Sequence, residues 1–310
     1  TGKGLSGTLD PAGTHFVAHG IPLTPFPDAT PTIEDPYQRA LVVVEDGSGV
    51  ELARSTPVVP VSVEMGCVSA GCHASEAAIL SAHEQVTGFD PAAGPVLCAG
   101  CHADPALGTT GRQDAGYFSF RIHDQHQFLD GQLSGATECY ACHPGSTARC
   151  LRGAMSERWG VQCQDCHGDM AAVAASIEGG RVPWANEPSC RQCHADRFGE
   201  PVGSLFREST GHGGVLCEGC HNSTHADLPT RVPADNANVL ALQRTAGVLS
   251  DCRVCHGVNP DGAGPHGMYA YLGVADEMTA GRPALSVFPN PARGACTMEL
   301  GASDVAAGRV

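Results

Sequence analysis

The 310 residues carry 33 Asp and Glu against 18 Lys and Arg, a formal charge of −15, with Lys3 the only lysine. That balance excludes the basic patches through which proteins hold nucleic acid, and no run of 18 apolar residues is present to span a bilayer. Aromatics are only 5%, and 39 Gly with 22 Pro favour turns over long regular elements, so side chains alone build a thin core and something else must fill the interior.

Residues 1–64 contain no cysteine. His15 and His19 stand four apart in Thr14-His-Phe-Val-Ala-His, ahead of the Pro-rich run Ile21-Pro-Leu-Thr-Pro-Phe-Pro. Leu41-Val-Val-Val-Glu, the turn Asp46-Gly-Ser-Gly and Val50-Glu-Leu-Ala predict a β-hairpin. Thr56 to Val63 reads as one more extended run.

Residues 65–270 hold most of the 16 cysteines, in a recurring arrangement. The first pair is Cys67-Val-Ser-Ala-Gly-Cys72-His73. Six regular pairs follow: Cys98-Ala-Gly-Cys101-His102, Cys139-Tyr-Ala-Cys142-His143, Cys163-Gln-Asp-Cys166-His167, Cys190-Arg-Gln-Cys193-His194, Cys217-Glu-Gly-Cys220-His221 and Cys252-Arg-Val-Cys255-His256. A disulfide framework or zinc is the ordinary reading of such cysteines. The His directly after each second Cys decides against both, because Cys-x-x-Cys-His is the attachment signature of c-type haem. Two thiols add to the two vinyl groups of one porphyrin, and the adjacent His sits under the iron as its proximal ligand. The first pair has four residues between its thiols, but small side chains fill the gap and His73 keeps its place, so it is counted as a seventh site; disulfides made by Cys67 and Cys72 are the alternative. Successive proximal His lie 24 to 41 residues apart, an irregular repeat and not a solenoid period.

Seven proximal His out of 15 leave His15, His19, His83, His123, His126, His212, His225 and His266. Seven six-coordinate haems need seven more ligands, so most of these are expected on the distal side of an iron. His83 closes Ser75-Glu-Ala-Ala-Ile-Leu-Ser-Ala-His83, which predicts a short helix capped by Ser75. His123 and His126, three apart, share one face of a helix and would serve two neighbouring haems. His212, five residues before Cys217, and His225, four after His221, cannot reach the far side of the haem at Cys217 and Cys220. Each should bind a different iron. His266 lies in the turn Gly264-Pro-His-Gly. The seventh distal ligand is left open between His15, His19 and a methionine, of which Met170 serves better as packing.

Cys150 and Cys296 remain, and an even remainder in an oxidising compartment reads as one disulfide; two thiols are the alternative. Residues 271–310 read as a C-terminal tail. The expected fold is mostly irregular loops with short α-helices wrapped around a haem stack, plus a small β-hairpin region at the N-terminus. Three segments follow: 1–64 without haem, 65–270 with seven haems, and the tail.

The segments Cys139-Tyr-Ala-Cys-His-Pro-Gly, Ser209-Thr-Gly-His-Gly-Gly followed by Cys217-Glu-Gly-Cys-His, and Gly257 through Gly264-Pro-His-Gly resemble the multihaem c-type cytochromes of metal-reducing and related bacteria. The resemblance covers about residues 60 to 270. It departs at Arg244-Thr245, where similar proteins carry a His. Some members polymerise into extracellular filaments with a continuous haem chain. The resemblance therefore implies electron transfer, in a subunit that assembles with copies of itself and passes electrons to redox proteins or extracellular acceptors. A monomeric periplasmic or cell-surface carrier is the alternative. A multihaem reductase comes third: nitrite-type reductases mark an open iron with Lys after the second Cys, and no Cys here precedes Lys. Haem joins c-type motifs after export, so an extracellular or cell-surface location is expected, with the periplasm as alternative. Thr1-Gly-Lys-Gly does not resemble an export signal and reads as a mature start.

Overall fold

The computed structural model describes residues 6–13, 15–61, 65–87, 90, 92, 96–143, 148–194, 196–267 and 296–299; for residues 85–87 and 296–299 only the backbone is described. The chain divides into two compact units. Thr1–Ser62, Arg152–Trp159 and Cys193–Val310 form the first; Val63–Leu151 and Gly160–Gln192 form the second.

In the first unit, β1 (Ser6–Thr8) belongs to a four-stranded antiparallel sheet, and β2 (Asp10–Ala12) pairs with β3 (His15–Val17) in a separate hairpin. β4 (Leu41–Glu45) and β5 (Glu51–Ser55) form the hairpin over the β-branched run. Asp46 closes its turn by accepting from the amides of Ser48 and Val50 at 2.8 and 3.0 Å, and Gly49 supplies the required positive φ of 80°. β6 (Cys296–Glu299) pairs with both β1 and β4, giving the order β1-β6-β4-β5. Part of the expected tail is thus a sheet strand; residues 268–295 and 300–310 lie outside the described residues.

A buried polar knot ties the three pieces of this unit together. Arg152 and Asp235, with side chains 4% and 2% exposed, meet in a two-pronged ion pair at 2.6 and 3.0 Å. Thr230 donates to the same carboxylate at 3.0 Å, and the Arg152 guanidinium lies 4.9 Å from the centre of the Tyr37 ring. Asn236, also buried, bonds both the amide and the carbonyl of Thr230. Full pairing of this kind is what permits charges inside a protein.

The second unit is helical. Ser75 accepts from the Ala78 amide at 3.1 Å at the start of the helix Glu76–Thr87, which carries His83. The helix Phe118–His126 carries His123 and His126 and packs against the helix Met170–Glu178. The latter is Ala-rich, which allows close approach, and buries Ala174 and Ile177. Two carboxylates hold its first turn: Asp169 accepts from Ala172 at 2.8 Å, and Asp130 from Met170 and Ala171 at 3.0 Å each. The methionine considered as a ligand is thereby the first residue of a capped helix.

Among the described residues no helix is long and apolar enough to cross a membrane. The buried apolar residues are small to medium, among them Ala40, Ala99, Ala174 and Val239, while Trp159 is 80% and Phe128 67% exposed. Among the described residues no large side chain is fully buried.

Candidate functional site

Each Cys-x-x-Cys-His motif is a single helical turn. Cys163–His167 and Cys217–His221 are short α-helices, Cys98–Gly100 and Cys190–Gln192 are 3₁₀ turns, and Arg253–His256 forms the last. The turn brings the His amide back onto the carbonyl of the first Cys: His102 to Cys98 at 2.9 Å, His143 to Cys139 at 2.7 Å, His256 to Cys252 at 2.9 Å. The elongated motif closes in the same way. Gly71, at φ 79°, turns the extra residues, and the His73 amide donates to Cys67 at 3.2 Å. Four intervening residues therefore leave both thiols and the imidazole on one compact loop.

Five of the motif histidines have a second imidazole about 6 Å away. His73 faces His126 with ring centres 6.2 Å apart, His102 faces His83 at 6.2 Å, and His143 faces His123 at 5.9 Å. In the first unit His256 faces His212 at 5.8 Å and His221 faces His266 at 6.0 Å. A metal–imidazole bond is about 2 Å long, and with a ring radius of roughly 1 Å added on each side, two imidazoles gripping one ion from opposite faces have centres about 6 Å apart. All five pairs sit at that separation. His123 and His126 face different motifs, and His212 faces the motif of Cys252 and not that of Cys217.

Backbone carbonyls fix which nitrogen is offered. His102 Nδ1 lies 3.1 Å from the Ala115 carbonyl, His123 Nδ1 2.7 Å from Ser119, His126 Nδ1 2.8 Å from Ile122, and His266 Nδ1 3.0 Å from Arg197. A carbonyl only accepts, so Nδ1 carries the proton and the lone pair of Nε2 is left for a metal. Burial lowers the pKa of His123 and of His221, the latter with help from His266 and His194. Neutral imidazole is the ligating form. No sequence signal marks these four carbonyls; only the spacing of His123 and His126 within a helix points to an i−4 acceptor.

The other candidates are placed as follows. His167 ends the helix Cys163–His167. His194 stands close enough to His221 to disfavour its charge. His225 sits in the turn Thr224–Ala226, and its carbonyl accepts from the Arg152 amide at 2.8 Å. His15 lies on β3 with Nδ1 buried and lacking a hydrogen-bond partner, and His19 is exposed just beyond that strand. The thiols of Cys139 and Cys163 are in hydrogen-bond contact, which lowers Cys163 to about 7 and raises Cys139. Cys150 is half-buried in the second unit and Cys296 lies on β6 with only its backbone described, so the disulfide expected between them falls outside the described residues.

The donor set fits haem. Among the described residues no group of three or more His, Cys, Asp or Glu side chains could hold a bare ion. Two opposed imidazoles supply only axial ligands, and a porphyrin supplies the equatorial four. Comparison with known proteins agrees. The family model of cytochrome c554 and c-prime matches residues 172–222, a stretch holding two of the regular motifs and His212. No curated protein and no solved structure matches the chain. The match supports a c-type cytochrome, with haem c as its cofactor and electron transfer as its work.

Proposed function

We propose that this chain is a heptahaem electron carrier in which the haems are gripped from both sides by imidazole. The observation that carries the reading is the set of five opposed imidazole pairs, each with one member in an attachment motif and ring centres near 6 Å apart. Haem c when bound supplies a one-electron Fe(III)/Fe(II) couple. The chain's own residues do the rest. The cysteines hold each ring edge: Cys67 and Cys72, Cys98 and Cys101, Cys139 and Cys142, Cys163 and Cys166, Cys190 and Cys193, Cys217 and Cys220, Cys252 and Cys255. The proximal ligands are His73, His102, His143, His167, His194, His221 and His256. The distal ligands are His83, His123, His126, His212, His225 and His266, with His15 or His19 the seventh. The carbonyls of Ala115, Ser119, Ile122 and Arg197 keep Nδ1 protonated and the rings aligned, which limits reorganisation when charge changes.

With every iron closed, no position is open to substrate, so the chain is read as a carrier and not an enzyme. Absorption and electron paramagnetic resonance spectra of the purified protein should be wholly low-spin and unmoved by nitrite or sulfite. A high-spin fraction that shifts on adding either anion would turn the reading toward a reductase.

We read the chain further as an exported subunit of an extracellular filament built from copies of itself. Its charge of −15, which suits solubility in the open, and its resemblance to filament-forming multihaem cytochromes support this. Electron micrographs of the native material should show filaments. A sharp monomer peak on size exclusion at every concentration would leave the single periplasmic or surface carrier.

Gly111 offers a local test. Its φ is 60°, and a Cβ there would lie 2.3 Å from the Ala103 nitrogen and 2.6 Å from the His102 carbonyl carbon. Neither backbone atom can yield without moving His102. Gly111→Ala should therefore lower the haem-to-protein ratio by one, through loss at Cys98 and Cys101. An unchanged ratio would show that His102 does not need this backbone.

A further inference from the structure

Resting on this assignment of ligands, we infer that the four motifs of the second unit stand in space in the order Cys98–His102, Cys67–His73, Cys139–His143, Cys163–His167, with the first two exchanged relative to the sequence.

Three junctions carry the order. The first joins Cys67–His73 to Cys139–His143. Their opposed imidazoles, His126 and His123, come from one helix, three residues apart, where side chains are neighbours. Their backbones also touch: the Gly66 amide donates to the Cys142 carbonyl at 3.0 Å, and a Cβ on Gly66 would meet the Ala141 carbonyl at 3.6 Å. The second joins Cys139–His143 to Cys163–His167. The Gln164 side chain donates to the Gly135 carbonyl at 2.8 Å, the short helices Ala136–Tyr140 and Cys163–His167 pack together, and the Cys139 and Cys163 thiols are in contact. The third joins Cys98–His102 to Cys67–His73. The helix Glu76–Thr87 starts three residues after His73 and delivers His83 to His102. Cys98 also lies near enough to Cys67 and Glu76 to feel their charge.

The motif of Cys98 is therefore an end of the row and not a link between its sequence neighbours. Electrons moving between Cys67–His73 and Cys139–His143 pass it by. The motif of Cys163 is the other end of the second unit's row. The helix Phe118–His126 becomes a clamp that positions two irons at once, so its register against the helix Met170–Glu178 sets the central step.

The test counts magnetic neighbours in the haem-loaded protein. His83→Gly opens the iron under His102, and His126→Gly opens the iron under His73. Carbon monoxide binds the opened ferrous iron and holds it diamagnetic while the other haems are reoxidised. A low-spin ferric neighbour then loses its dipolar broadening. Carbon monoxide on His126→Gly should sharpen two ferric signals, and on His83→Gly one. The reverse count, two for His83→Gly and one for His126→Gly, restores sequence order and overturns the inference. Failure of both variants to take up carbon monoxide overturns the ligand assignment itself, and the order with it. If a Gly variant does not accumulate, the Met variant keeps a sixth ligand and raises its own iron's potential. The number of other haems whose midpoints move then gives the same count.

Discussion

Replacing His212 with Ala is expected to turn one haem high-spin, and on the pairing proposed above that haem is the one on Cys252 and Cys255. Spacing in sequence keeps His212 off the haem at Cys217 and Cys220, five residues away, but does not say which other iron it serves. The structure places its ring 5.8 Å from that of His256, and the ring opposite His221 is that of His266. A two-variant comparison separates the possibilities. When Cys252 and Cys255 are both changed to Ala, the haem there is lost, and adding His212→Ala should then create no high-spin component. Changing Cys217 and Cys220 instead should leave the effect of His212→Ala intact. A high-spin signal that disappears with Cys217 and Cys220 would assign His212 to its sequence neighbour and undo the pairing.

Arg152→Met should be the most damaging substitution away from any motif. It leaves Asp235 charged, with a side chain 2% exposed, and without its buried guanidinium partner, though Thr230 still donates to it. Breaking one partner out of a buried pair costs about 3–5 kcal/mol. A typical domain has about 5–15 kcal/mol to lose, so much of the first unit's stability would go. The guanidinium also lies against Tyr37, whose hydroxyl pKa burial raises despite Arg231 and Arg152 nearby, so three segments distant in sequence loosen together. Denaturant unfolding of the haem-loaded protein should show a midpoint well below wild type. The double variant Arg152→Met, Asp235→Leu should recover most of the loss, because removing both charges leaves nothing unpaired. No recovery would mean that the position serves packing and not charge.

What the sequence reveals follows from the range of each interaction. The attachment motifs are legible because thioether chemistry needs two thiols and an imidazole within a few residues. The β4–β5 hairpin and the cap at Ser75 are legible for the same reason. The partners of His212 and His266 are not, since no local rule says which motif a chain returns to. The Arg152–Asp235 pair joins residues 83 apart, and β6 finds β1 and β4 from the far end of the chain.

Porphyrins joined to the chain underlie every ligand pair proposed above, and intact-protein mass spectrometry after expression in an export-competent host with haem supply tests this most directly. The predicted result is a single species at the polypeptide mass plus seven haems, reduced by one when Cys67 and Cys72 are changed to Ala. A bare polypeptide mass, or a loaded species that the Cys67 and Cys72 substitutions leave unchanged, would contradict it.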